Sequence, residues 1–399
     1  PPPPPPPPPP PTPPPTLTDP PTSPIYTLYS SSAASDVYKR QGLDVHQSSV
    51  TAAILNGDSV EPEVVRLSGD LNATRRLFRR LAEHGAPRAC YEASGAGYVL
   101  QRTLDHDGFH CDVIAPSLVP SLPGDHRKTD RLDAVHLARM YRSGHLTSVT
   151  VPDTDQEAVR HLVRARLFLR RQITRSKNRL MGILRTTGHR FTGTKSNWTK
   201  QHRAWLAALR RDMDGPLETV LSSELQLLEY LETSLVALDT RIAEIAQQHP
   251  WREPVEALCC FRGIKTLTAM TIVSEIGDIR RFRSPRQLMG YTGLVPSERS
   301  SGERQRRGSI TKSGNRFLRR VLVESAWLYS KRGGSSLQLQ RRRMGQNPAV
   351  VGIAVKAQHR LQRRHHHLAR TKHTNKATTA VARELCGFVW SMLWEVAER

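Results

Sequence analysis

No apolar run in the 399 residues approaches the ~18 needed to span a bilayer, so the chain is expected to be soluble. Cysteine is scarce: Cys90, Cys111, Cys259, Cys260 and Cys386 are odd in number and show no C-x-x-C spacing. That excludes a disulfide framework and a zinc ribbon and fits reduced thiols in a cytosol. The N-x-T triplets at Asn72 and Asn197 then carry no glycosylation meaning. Acids are also short, with 36 Asp and Glu against 59 Lys and Arg, for a formal charge of +23 and a pI of about 10.5. Such an excess asks for a polyanion, DNA or RNA, and suits a membrane surface less well. His365, His366 and His367 lie in a basic run without acidic or cysteine neighbours and read as a solvated face.

What is abundant is unevenly placed. Residues 1–41 hold 17 of the 29 prolines, eleven of them in one run, and have no initiating Met. A polyproline II segment can serve as an SH3-type ligand, but the end of this leader looks like translated adapter sequence joined to a bacterial-style gene. It is therefore set aside, and its charges cancel, so the basic character belongs to the body.

From Gly42 the pattern alternates between strand and helix. Leu43, Val45 and the run from Val50 to Leu55 predict a hairpin, followed by a helix near 73–84 and a strand at 88–92. A helix over 98–107, a strand over 110–116 and a helix over 129–142 complete an α/β unit with a mixed sheet, residues 42–150. Residues 155–250 read as helical. Arg160 to Arg185 carries nine Lys and Arg and no acid, while Leu228, Leu231, Leu235, Leu238, Ile242 and Ile245 form a heptad seam on an acidic arm. The two arms can pair as a hairpin or dimerise, and 186–199 reads as the loop between them.

A third part, 254–335, contains CCFRGIKTLTAMTIVSEIGD, which is similar to a helix-hairpin-helix turning at Gly263 with Lys265 where a second glycine is usual. A helix over 285–291 leads into GLVPSERSSGERQRRGSITKSGN, Gly293 to Asn315, and a helix over 314–329 leaves it. Between Arg299 and Arg320 there are eight Lys and Arg and one acid, Glu303. Residues 336–399 are a basic helical tail with helices near 350–370 and 378–397, whose SMLW segment is expected to pack on the third part.

Four carboxylates in the α/β unit belong together chemically. Asp44 lies in a strand between apolar neighbours, where a buried carboxylate needs a partner or a cation. Glu92 closes a later strand, and Asp130 and Asp133 are i, i+3 on the first turns of a helix. Each alone fits a strand end or a helix N-terminus. Together, four carboxylates suit Mg²⁺ held for attack at a phosphodiester.

The segments GLDVH, YEASGAGY, KTDRLDA and GLVPSERSSGERQRRGSITKSGN, in this order, resemble those of the DEDD transposases of the one-ten insertion-sequence family, over about residues 42–335. The resemblance implies an α/β RNase H-like (RuvC-like) domain, an all-α coiled coil and a mainly α-helical C-terminal transposase domain. It implies a DNA recombinase with Asp44, Glu92, Asp130 and Asp133 as Mg²⁺ ligands and Ser301 as nucleophile, Ser300 being the weaker candidate. It further implies a composite site completed between subunits of a homodimer or homotetramer, a noncoding guide RNA pairing with donor and target DNA, and a cytoplasmic, nucleoid-associated protein.

Arg299, Arg304, Arg306, Arg307, Lys312, Arg316, Arg319 and Arg320 around the serine loop are candidate nucleic-acid contacts, with Arg164, Arg170, Arg171 and Lys177 on the basic arm. A hydrolytic RuvC-like junction nuclease and a non-catalytic nucleic-acid binder are the rival readings.

Overall fold

A computed structural model describes residues 39–57, 59–93, 95–120, 129–194, 196–298, 307–331 and 333–399. They fall in two compact units, divided between Val149 and Thr150.

The first unit is a five-stranded mixed sheet with helices. Strands β1 (Lys39–Val45), β2 (Ser49–Asn56) and β3 (Glu63–Ser68) form an antiparallel meander. After α1 (Leu71–Ala82), strand β4 (Pro87–Glu92) pairs parallel with β1; after α2 (Val99–His106), β5 (His110–Ile114) pairs parallel with β4. The spatial order is β3-β2-β1-β4-β5. Strand β1 begins inside the segment set aside as leader, since Lys39 and Arg40 pair with Asn56 and Leu55, and the boundary expected at 42 moves back accordingly. The unexpected strand is β3, EVVRLS: with Glu63 and Arg66 exposed at the sheet edge, it has too few apolar residues to announce itself.

Helix α3 (Asp130–Arg142) starts at Thr129, whose side chain caps Leu132 N, and lies on β1 and β2. The contact is a close one because Gly42 has no side chain. A Cβ there would stand 2.3 Å from both Ala134 O and Ala138 N. Glycine at this point of the strand lets helix backbone meet strand backbone.

In the second unit, α4 (Thr154–Thr186) and α6 (Gly215–Ile245) pack antiparallel, with α5 (Lys200–Asp212) between them in sequence. The basic and acidic arms thus meet within one chain, the hairpin alternative. Arg166 pairs with Asp239, Lys177 with Glu232 at 2.7 Å and Arg179 with Glu224 at 2.9 Å, while Leu180, Leu184, Leu206 and Leu221 fill the apolar seam.

The rest of this unit comprises α7 (Arg252–Cys259), α8 (Thr266–Ile276), α9 (Pro285–Thr292), β6 (Pro296–Glu298), β7 (Arg307–Ile310) and α10 (Arg316–Ala326). It ends with α11 (Leu337–Arg343), α12 (Pro348–Ala369) and α13 (Thr374–Ala397). Residues expected as three successive parts share one core, from Val159 and Val163 on α4 through Phe261, Ile264 and Leu322 to Leu385 and Val389 on α13. As expected, the SMLW segment packs here: Met392 is fully buried, and the Trp390 and Trp394 indoles both donate to Phe282 O.

The histidine run also departs from expectation. His365 is buried, 3 % exposed, with Nε2 3.2 Å from Thr378 Oγ1, and His366 Nε2 lies 3.1 Å from Ser330 O, so the histidine run is not a solvated face. Its helical spacing turns His365 toward α13. All five cysteines are free and buried, and burial raises the thiol pKa of each, so they pack as small apolar residues.

Candidate metal centre and nucleic-acid interface

The acidic centre is built from β1 and α3. Leu43 stands opposite Tyr91 in the parallel β1/β4 pair, so Asp44 and Glu92 follow at the ends of neighbouring strands. Asp130 opens α3, which the Gly42 contact holds against β1. Asp44, Asp130 and His46 each present a donor atom, all within 4.8 Å of one another. His46 Nε2 lies 3.2 Å from Asp44 Oδ2 and 3.6 Å from Asp130 Oδ1, so an imidazole occupies the gap between two carboxylates. Burial raises the Asp44 pKa; His46 opposes the rise, and the charges of Asp130 and Asp133 add to it.

Asp133 is therefore close enough to act electrostatically, although the three converging donors do not include it or Glu92, which is half-buried at the end of β4. A carboxylate that burial and two like charges push toward neutrality is one that a divalent cation would favour in its ionised form, and carboxylate oxygens are suitable ligands for a hard cation. The carboxylates of Asp44 and Asp130 fit such an ion. His46 was not anticipated as a site residue: it follows β1, which ends at Val45, and only the fold brings Asp130 to it.

The basic interface is built in the second unit. Strands β6 and β7 form a two-stranded antiparallel ribbon, with Pro296 opposite Ile310 and Glu298 opposite Arg307, where a plain loop was expected. Ser301, Ser300, Arg299, Arg304 and Arg306 lie outside the described residues, as does the side chain of Arg307.

The base of the ribbon is clamped. Gly293 and Gly314 take φ of +65° and +87°, and a Cβ on either would meet a carbonyl oxygen, of Ser313 at 2.0 Å or Tyr291 at 2.2 Å. Asn315 N donates to Tyr291 O at 2.7 Å, and Asn315 Oδ1 caps α10 by accepting from Phe317 N and Leu318 N. Asn315 Nδ2 donates to Glu275 Oε2 at 2.7 Å, and the fully buried Glu275 also receives Arg164 Nε and Nη2 at 2.7 and 2.8 Å. A buried carboxylate is held here by a bidentate guanidinium and an amide.

The other expected contact residues divide by what they already touch. Arg164 is committed to Glu275, Lys177 to Glu232, Arg320 to Glu324 and Arg319 to Thr292 O. Arg170, Arg171, Lys312 and Arg316 are exposed. Arg170, Arg262, Lys265 and Arg320 line a cleft of about 610 Å³ beside the first turn of α8. That turn has no acid, and its N-cap, Lys265, provides no side-chain acceptor. Gly263 precedes it at φ +89°, where a Cβ would lie 2.6 Å from Ser325 O.

Comparison with known proteins matches both units. Residues 41–189 match the family model of the IS110-type DEDD transposase, and residues 255–340 match that of the Transposase IS116/IS110/IS902 family. The chain is 38% identical over 363 residues to a putative transposase of Sinorhizobium fredii, covering 90% of this chain and 89% of the relative. It is 32% identical over 332 residues to the transposase for insertion sequence element IS1533 of Leptospira borgpetersenii, covering 82% of this chain and 95% of the relative.

Proposed function

From a chain that belongs to the IS110 family of DEDD transposases, enzymes that act on DNA, we infer a recombinase that cuts and rejoins the DNA of its own insertion sequence through a phosphoserine intermediate. The observation that carries this reading is the convergence of Asp44, His46 and Asp130 at the ends of β1 and α3, where Asp133 also acts on Asp44. The strand order β3-β2-β1-β4-β5, an antiparallel meander followed by two parallel strands, supports an RNase H-like (RuvC-like) unit.

Asp44 and Asp130, with Asp133 and Glu92 beside them, would hold Mg²⁺, which when bound would neutralise charge developing on the phosphate and lower the barrier to attack. Ser301 is the proposed nucleophile. Its Oγ forms a bond to phosphorus as a bridging P–O bond of the DNA breaks; the hydroxyl proton leaves to solvent and the departing oxygen takes one up. Attack by a new DNA hydroxyl reverses these changes and reseals the strand. Among the basic residues, Arg299, Arg304, Arg306, Arg307, Lys312 and Arg316 would position phosphates near the serine. The α7–α8 turn, with its acid-free helix start beside Lys265, suits a further phosphate contact.

In this reading a noncoding RNA from the element pairs with donor and target DNA, and the protein reads backbone and shape, working as a homodimer or homotetramer. One assay tests the chemistry. On suicide DNA with Mg²⁺, the parent protein accumulates a covalent adduct, Ser301→Ala gives none, and Asp44→Ala binds nucleic acid but gives none. An adduct with Ser301→Ala removes the serine from its role, and cleavage by Asp44→Ala removes the metal centre. Sequencing RNA that copurifies with the protein tests the guide.

A further inference from the structure

Phe168 lies on α4 with 43% of its surface exposed, and exposure of one apolar residue is ordinary in itself. Its surroundings are not. Its ring meets that of Phe317, on the first turn of α10, edge to face at a centroid distance of 6.1 Å. Guanidinium groups surround the pair: Arg171 stands 5.9 Å from the Phe168 ring, while Arg164 and Arg316 stand 4.8 and 5.0 Å from that of Phe317. Arg164, Phe168 and Arg171 are i, i+4 and i+7, one face of a helix that carries no acid from Arg160 to Arg185. Arg164 is spent on Glu275, but Arg171 and Arg316 are exposed and, among the described residues, pair with no carboxylate. The exposed apolar residues Leu227 and Val236 of α6 lie instead on the acidic arm.

An aromatic face among unpaired cations suits a ligand that is flat and apolar on its faces and anionic along its edge. An unpaired nucleotide has that form; a duplex hides its base faces and offers phosphates and base edges. We propose that Phe168 is a stacking platform for an unpaired base of a nucleic-acid strand, with Arg171 and Arg316 holding the flanking phosphates. A separate cleft on α4 is lined by Arg166 and Arg170 together with Arg320. The proposal rests on the nucleic-acid reading above but on none of its chemistry. The cleavage assay leaves it untouched, and its own test reads binding alone.

The test uses the full chain and fluorescence anisotropy of labelled oligothymidine, oligouridine and a mixed-sequence duplex, across a salt series. Phe168→Ala is expected to weaken binding to single strands about tenfold, leaving duplex affinity and the salt slope unchanged. Phe168→Leu, which keeps the apolar contact with Phe317 but has no π face, must match the alanine variant, and Phe168→Trp must restore binding. Arg171→Ala and Arg316→Ala each flatten the salt dependence by about one phosphate contact. An iodouracil-bearing strand should photocross-link to the peptide containing residue 168. A loss with oligothymidine, oligouridine or both identifies DNA, RNA or either as the source. Unchanged single-strand binding, equal loss on duplex, or retention of parental affinity by Phe168→Leu overturns the proposal.

Discussion

Gly42 sets a distance that no other residue can set. Its missing side chain lets α3 rest on β1 with backbone against backbone, and this contact brings Asp130 and Asp133 to the strand end where Asp44 stands. Gly42→Ala would drive a methyl into Ala134 O and Ala138 N, both backbone atoms, so the helix itself must move. Overpacking of this kind costs about 3 kcal/mol, measurable by denaturant unfolding, and manganese titration should show weaker binding than in the parent. The carboxylates themselves were legible from sequence because a charged residue amid apolar strand neighbours, and an i, i+3 pair at a helix start, are local patterns. His46 was less legible, since an exposed histidine after a strand carries no signal until α3 is seen to bring Asp130 within 3.6 Å of it.

At the scale of elements, the basic and acidic arms answer a question that periodicity left open. A heptad seam tells that a helix has a partner but not whose, and only the chain's own ion pairs, such as Lys177 with Glu232, show that α4 and α6 satisfy each other. Strand β3 and the β6/β7 ribbon went unread because edge and ribbon strands bury little. The hairpin also contains a titratable feature. His202 on α5 is fully buried, packed with Phe191, Trp198 and Trp205, and neither ring nitrogen has a hydrogen-bond partner among the described residues.

Burial, with Arg203 adding to it, pushes the His202 pKa below the usual 6.5. The folded form thus resists a proton that the unfolded chain accepts, so this contribution to stability is complete above pH 6.5 and is lost as pH falls through the lower, folded value. His202→Phe should flatten the acid limb of a plot of melting temperature against pH. The flattening will be partial, because burial lowers the His365 pKa in the same direction.

At the scale of the molecule, the second unit is closed by its last helix. Helix α13 packs on α7, α9, α10 and α12, and it contributes Val381, Leu385, Val389 and Met392 to the one core. A chain ended before Thr374 should lose cooperative melting in this unit and become rapidly digested by protease, while the sheet residues 39–114 keep their protection. Sequence reading placed the tail's SMLW segment correctly but split the unit into three, because a core assembled from distant segments leaves no mark in any one of them.

The order of synthesis gives the closing helix a further meaning. The ribbon formed by β6 and β7 is mounted on α9 and α10, and α10 finds its packing partner α13 only after residues 374–397 have also emerged from the ribosome. An element copied with an early stop codon or a frameshift downstream of the serine would therefore encode every proposed catalytic residue and still leave α10 without its packing partner. Inactivation of such a copy would require no change in any proposed catalytic residue.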